Sequence, residues 1–401
     1  MKEIKFTLPD ISDFEILNVV EVMRSGWITT GPKTKLLEKK LAGFVGDYDG
    51  VGTPRCVCLN SATAALELSL RLLGIGSQSG GSADDEVITS AYTYTASASV
   101  IAHVGAKIVL VDCSEADGTL EMDCEKLEAA ITGNTKAIIP VHIQGFPCNM
   151  DRIMAIAKKH NLFVLEDACQ SDGGTYHGKR LGTIGDAGAY SFNYFKVITA
   201  GEGGALITDN RQIFERGLIY HDSSAIAYFG NQLETVESEQ FCGTEFRVSE
   251  FTGAILREQL KKLDPILTDL HRNRDYLISK LSGKYTFLAS NDTDGDCATT
   301  LAFWFDSEEE ARAFQSKFGG TMPIDTGKHV YSNWTPVMNK RGAFNPAFDP
   351  FKMEANKDLN HNYSPDMCAR SLGYLRRAVY IGVNPDATEA ELDSFAASLL
   401  A

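Results

Sequence analysis

The chain has 401 residues, a formal net charge of −15 and 44% hydrophobic residues. That length allows a sizeable core and two domains, and the composition is that of an ordinary globular protein. An acidic chain without a basic cluster argues against nucleic acid or an anionic membrane as partner. The start, Met1-Lys2-Glu3-Ile4-Lys5-Phe6, lacks a long apolar core, and no uncharged apolar run reaches membrane-spanning length, so a cytoplasmic protein is expected. The nine cysteines are scattered, and Cys56-Val57-Cys58 is the one close pair. On a strand those two share a face, but no second pair completes a zinc site, so reduced core thiols and no metal are expected.

Residues 12–25 have helical spacing, with Ile16, Leu17, Val20 and Met23 on one side. Gly26 to Pro32 breaks the pattern into a loop, and residues 33–45 resume it. Val57-Cys58-Leu59 reads as a strand. Asn60-Ser61-Ala62-Thr63 then opens a helix carrying Leu66, Leu70 and Leu73. A strand, a small-residue turn and a helix N-terminus offer free N–H groups to a phosphate, although Ser and Thr also cap many helices that bind nothing. Residues 77–85 are polar and Gly-rich and read as a flexible surface insertion.

Strands are expected at 86–89, 107–111 and 137–141, with helices at 123–131 and 149–159. Strands joined by helix-length crossovers make a mainly parallel sheet with helices on both faces. Ligands then sit beyond the strand C-termini. His142 lies at one such end, and a lone histidine there reads as structural.

The segment 163–204 carries the most chemistry. Phe163-Val164-Leu165-Glu166-Asp167 is an apolar run ending in two acids, as when a buried parallel strand delivers a carboxylate to its C-terminal edge. Ala189-Tyr190-Ser191-Phe192-Asn193-Tyr194-Phe195-Lys196 places a lysine among apolar and aromatic residues, with glycines following. Lysine is seldom buried without a task, and a desolvated lysine becomes nucleophilic toward a carbonyl. A surface lysine in a Gly-rich turn beside a structural acid is the competing reading. The pairing is also what pyridoxal phosphate (PLP) needs: the lysine condenses with its aldehyde, and the acid keeps the pyridine nitrogen protonated. The Gly201–Gly204 turn is followed by a strand, not a helix, so it is no dinucleotide fingerprint.

Beyond this segment, residues 222–243 form a long aperiodic loop and a strong helix runs through Leu263-Asp264. A charged helix, His271 to Leu281, leads out of the large domain. Leu301–Phe305 and Ala378–Gly382 are strands, 307–318 is a helix, and Thr388-Glu389-Ala390-Glu391 is a capping box. Asn291 to Asp296 has the wrong ligand spacing for calcium and reads as a turn. Residues 326–366 are too long and too rich in aromatics for a simple connector. The division expected is 1–264 and 265–401.

The wording of the central segment resembles the DegT/StrS sugar aminotransferases: Glu166-Asp167-Ala168-Cys169-Gln170, Gly178-Lys179-Arg180-Leu181-Gly182, Gly185-Asp186-Ala187-Gly188, Ser191-Phe192, and Lys196 through Gly201-Glu202-Gly203-Gly204. The resemblance runs from about Trp27 to the C-terminus. It implies an α/β fold-type I PLP enzyme, with a mainly parallel seven-stranded-type sheet in the large domain and a smaller α+β C-terminal domain. It implies Lys196 as the PLP lysine and proton shuttle, Asp167 on the pyridine nitrogen, Gln170 near the ring hydroxyl and Tyr94 stacked on the ring. Ala62, Thr63 and Ser191 take the phosphate, and Arg247 is a further anchor candidate. The family has Asn where Glu245 stands, and that Asn reaches the partner subunit's phosphate. A carboxylate there is unfavourable, which implies a rearranged loop or a lost contact. The implied activity is amino transfer from glutamate or glutamine to a keto sugar, often nucleotide-linked, in amino-sugar or surface polysaccharide biosynthesis, by a homodimer with interfacial sites. The alternatives are a keto-cyclitol aminotransferase, a PLP-dependent sugar dehydratase (whose subgroup has histidine in place of the lysine) and a non-catalytic PLP-binding regulator.

Overall fold

The computed structural model describes residues 9–46, 55–114, 120–224 and 236–401. Its central element is a seven-stranded sheet. The strands are β1 (Arg55–Leu59), β2 (Glu86–Ser90), β3 (Lys107–Val111), β4 (Thr135–Ile139) and β5 (Phe163–Asp167); the short hairpin β6 (Thr175–Tyr176) and β7 (Lys179–Arg180) intervenes before β8 (Ala187–Ser191) and β9 (Gly204–Thr208). The order is β1-β9-β8-β5-β4-β2-β3, and β9 alone runs against its neighbours.

Helices α1 (Asp13–Ser25), α2 (Pro32–Val45), α3 (Ala62–Leu72), α4 (Ala96–His103), α5 (Cys124–Ala130), α6 (Met150–His160) and α7 (Arg211–His221) join the strands and cover the sheet. With both faces covered, β2, β8 and β9 are buried throughout, including the polar residues Glu86, Thr89 and Ser90 of β2. Successive strand residues serve opposite cores. Cys56, Cys58 and Ile207 join one cluster, and Val57, Leu59 and Leu206 the other. Both close cysteines are free thiols in the core, and no group of metal-ligating side chains occurs among the described residues.

Helix α8 (Glu250–Leu281) departs from the sequence reading, which has a helix through 264 and another from 271. It is one helix of 32 residues running through Pro265. An interior proline costs about 3 kcal/mol. Leu256, Leu263, Leu267, Leu270, Leu277 and Leu281 are buried at helical spacing on both sides of it, and their burial exceeds that cost. The expected division at 264 therefore falls inside a continuous element. Gln259 reaches Asp10 and Glu15, near α1, while Asn273 and Arg274 bond to Asn384 and Asp296 beyond it.

After α8 come β10 (Thr286–Phe287), β11 (Thr300–Trp304), α9 (Glu308–Phe318), α10 (Thr335–Met338), α11 (Ala369–Leu375), β12 (Ala378–Gly382) and α12 (Glu389–Leu400). The three strands form an antiparallel sheet in the order β10-β11-β12. The capping box on α12 forms, with Thr388 and Glu391 satisfying each other's amides. The expected insertion at 77–85 is anchored: Asp85 accepts from Gly76 and Ser82, and Ser77 bonds Asn356. The middle of the loop expected at 222–243 lies outside the described residues.

Glu166, fully buried on β5, holds the sheet's C-terminal edge. It accepts from the amides of Gly182 at 2.8 Å, Ile184 at 2.6 Å and Gly185 at 2.7 Å, and from His142 Nε2 at 3.1 Å. His142 Nδ1 in turn accepts from Cys148 N at 3.0 Å, so this histidine is structural. Glu166→Ala strands one buried and two half-buried amides and the buried His142, and is expected to cost about 3–5 kcal/mol. Urea unfolding checks this; a loss below about 1 kcal/mol would refute the clamp.

Candidate active site

Parallel strands end on one edge of the sheet, and the loops beyond that edge enclose a cavity of about 650 Å³. Ala62, Thr63, Tyr94, Asp167, Gln170, Ser191 and Lys196 all line it. Thr299, Thr300 and Tyr380, on or beside β11 and β12, close it from the other side.

Asp167 ends β5 and is 5% exposed. Its Oδ2 accepts from Ser97 Oγ at 2.6 Å and its Oδ1 from Cys169 N at 3.2 Å. The carboxylate is thus fixed in orientation before any ligand arrives. Lys196 sits in the turn between β8 and β9. That turn is tied by Tyr194 N to Gly201 O, Ala200 N to Phe192 O and Thr199 Oγ1 to Phe192 O, at 3.0, 3.1 and 3.0 Å. Lys196 is half-buried; of the aromatic residues preceding it Tyr190 and Phe192 are in the core, whereas Tyr194 and Phe195 are 45% and 70% exposed.

The N-terminus of α3 faces the same cavity. Ser61 caps it through Ala64 N at 3.1 Å, and the preceding amides of Ala62 and Thr63 have no partner among the described residues. The start of β9 is pressed against this helix end. A Cβ at Gly204 would stand 2.3 Å from Ala62 N, so glycine is required there. Two free amides, a positive helix end and the Ser191 hydroxyl form an anion cradle. A phosphate cradle, a fixed carboxylate and a lysine on one cavity suit PLP.

Gln170 accepts from Gln144 N at 2.9 Å, and Tyr94 stands 5.7 Å from the His329 ring. Burial and the charges of Lys328 and Lys196 lower His329 to about 4, so its imidazole is neutral at physiological pH. Arg247 is not among the lining residues. Its guanidinium forms a two-point pair with Glu245 at 2.7 Å and a further contact with Asp222 at 3.0 Å. Glu245, at the position where the family has Asn, therefore has a cationic partner in its own chain.

The family profile of the DegT/DnrJ/EryC1/StrS aminotransferases matches residues 9–339. The chain belongs to this family. Its cofactor is PLP. Among its relatives is the spore coat polysaccharide biosynthesis protein SpsC of Bacillus subtilis, 40% identical over 287 residues, which are 70% of this chain and 67% of that protein. The PLP form of the Streptococcus pneumoniae putative sugar aminotransferase Spr1654 is 28% identical with a TM-score of 0.74, covering 99% of this chain and 97% of that one. The E. coli GDP-4-keto-6-deoxy-D-mannose-3-dehydratase with hydrated PLP superposes at a TM-score of 0.79 with 24% identity, covering 99% of this chain and 100% of that one, and shows the shared fold.

Sequence reasoning missed three groups: Lys328 and Asp172 in the cavity wall and Ser97 behind it. Ser97 lies on α4 and fastens Asp167 from a segment 70 residues away. Lys328 stands 5.3 Å from the Tyr94 ring and 5.8 Å from the Phe195 ring. Asp172 lies five residues after Asp167 in the Gln170-Ser171-Asp172-Gly173 turn, a position no short motif marks. It is 1% exposed and neither carboxylate oxygen has a hydrogen-bond partner among the described residues. Burial drives its pKa well above the carboxylate range, against the pull of Lys196. The folded state then keeps a proton that the unfolded chain gives up near pH 4. Its contribution to stability is full below about pH 4 and declines as pH rises toward the folded pKa. Asp172→Asn removes that loss, so the variant should gain on wild type as pH rises, by at least about 2 °C in Tm between pH 5 and pH 8. A constant Tm difference across that range counts against the assignment.

Proposed function

We propose that the protein transfers an amino group from glutamate or glutamine to the ketone of a sugar, often a nucleotide-linked one, in amino-sugar or surface polysaccharide biosynthesis. The observation that carries this reading is the joint placement of Lys196, the anchored Asp167 and the α3 amides on one cavity in a chain of this family. Bound PLP supplies an aldehyde carbon to receive the amino group and a ring that takes up an electron pair. Asp167, held by Ser97 and the Cys169 amide, would keep a proton on the ring nitrogen. Ala62, Thr63 and Ser191 would hold the phosphate, Tyr94 would cover the ring and Gln170 would lie near its hydroxyl. Lys196, once free, moves the proton at the reacting carbons.

The acidic donor needs a cation. Arg247 is engaged with Glu245 and Asp222, whereas Lys328 stands on the cavity wall above two aromatic rings. In this reading Lys328 receives a donor carboxylate. The active unit is a homodimer, supported by an exposed apolar surface on α1 and the following loop: Phe14, Leu17, Met23, Trp27 and Ile28 are all at least half exposed. An isolated subunit would leave that surface in water.

Borohydride reduction followed by peptide mapping tests the cofactor site, with the covalent adduct expected on Lys196; an adduct on another lysine would overturn it. Lys328→Gln is expected to raise KM for the acidic donor roughly 10- to 150-fold, the worth of one hydrogen bond to a charged group, with kcat nearly unchanged. An unchanged donor KM removes Lys328 from donor binding.

A further inference from the structure

Behind Asp167 stands a line of two hydroxyls closed to solvent. Ser97 Oγ is 2.6 Å from Asp167 Oδ2, and Thr93 Oγ1 is 2.7 Å from Ser97 Oγ. Thr93 and Ser97 are each 0% exposed, so neither can trade its partner for water. The directions follow from counting hydrogens. A serine hydroxyl has one, and an ionised carboxylate only accepts. Ser97 therefore donates to Asp167, and Thr93 donates to Ser97. The Ser97–Asp167 separation is that of an O–H···O⁻ bond, and the Thr93–Ser97 separation is ordinary for two neutral hydroxyls. Tyr94 O, 3.3 Å from Ser97 Oγ, is the weaker acceptor. The stretch that supplies both hydroxyls is pinned from outside: Thr93 N donates to His329 O at 3.0 Å, and Thr95 N to Lys328 O at 3.1 Å.

We propose that Thr93 and Ser97 are positioning residues that act through Asp167 to keep the cofactor's ring nitrogen protonated. A proton between that nitrogen and Asp167 stays with the more basic of the two. Each hydrogen bond that the carboxylate accepts from elsewhere favours its charged form and weakens its hold on a proton. Ser97 supplies such a bond. Thr93 strengthens it, because a hydroxyl that accepts a hydrogen bond donates a stronger one in turn. The two hydroxyls keep their own protons throughout and add no charge. With the chain intact the proton stays on the ring, which can then take up an electron pair. Without it the proton drifts to Asp167 and that capacity falls. Thr93 thus influences the ring without bonding Asp167 itself. The inference rests on Asp167 being the partner of the ring nitrogen.

The test loads the full chain with PLP isotope-labelled at its ring nitrogen. The nitrogen NMR resonance separates a protonated ring from a neutral one. In Ser97→Ala the resonance should move toward the neutral position. In Thr93→Val, which keeps the shape of the side chain, it should move the same way by less. Thr93→Ser, which keeps the hydroxyl, should restore the wild-type position. The reaction of the bound cofactor with glutamate or glutamine should slow in parallel, roughly 10- to 150-fold for Ser97→Ala and roughly 2- to 13-fold for Thr93→Val. Because Thr93 acts through Ser97, the double variant should match Ser97→Ala alone. Slower variants whose resonance has not moved show packing only and overturn the proposal, and so do additive shifts in the double variant. If Ser97→Ala unfolds, Thr93→Val against Thr93→Ser decides alone, and an unmoved resonance in the valine variant overturns the proposal. A wild-type resonance already at the neutral position would instead remove Asp167 from the ring nitrogen, so the two failures are distinguishable.

Discussion

Two adjacent acids on one strand must point to opposite faces, and the architecture depends on that alternation. Glu166 turns into the protein and binds three amides of the loop before β8. Asp167 turns into the cavity and is fixed by Ser97. The first acid sets where β8 begins, and β8 ends at Ser191 and leads into the turn that carries Lys196. The clamp on one face therefore positions the chemistry on the other. Sheet register enforces the same link: Asp167 pairs with Ala189 on the parallel neighbour, two residues before Ser191. A one-residue slip would send Asp167 into the core and Glu166 into the cavity.

The cavity also depends on the second sheet. Thr299 Oγ1 donates to Gln144 O at 2.9 Å, and Gln144 N donates to Gln170 at 2.9 Å. A continuous hydrogen-bonded line thus runs from the edge of β11 to the turn after β5. Motion of the small sheet would be felt at Gln170, close to where the proposed chemistry occurs. Helix α8 limits such motion, because it packs against α1 and α2 early and against α12 late.

Much of this was legible in the sequence. Strands buried on both faces announce themselves as apolar runs between turns, and a carboxylate or lysine at the end of such a run has few places to point. The mainly parallel sheet and the strand-end residues follow from that, whereas the seven-stranded form came with the family resemblance. What was not legible depends on distant partners. Ser97 looks like any small residue on a helix until α4 brings it to Asp167. Pro265 reads as a stop because local rules see a missing N–H and not the leucines packed on either side. On α1 the apolar side faces outward while Glu15 and Val22 are buried, since Lys262 and Gln259 reach across to satisfy Glu15. Periodicity finds the stripe but not its direction.

Charge placement explains how a chain of net charge −15 can favour anionic ligands locally. Exposed charges act through water and are screened within about 10 Å at ordinary ionic strength. Groups in the cavity act at short range and with less water between them. There the free amides of α3, Lys196 and Lys328 supply positive potential. Of the acids, Asp167 is held by donors and Asp172 is driven toward its neutral form by burial. Glu202 is turned to the Asn193 amide at 3.1 Å. A protonated Asp172 adds no negative charge near the anion cradle, whereas an ionised one would oppose it. The burial that makes Asp172 costly as a carboxylate thus keeps the cavity receptive to a phosphate.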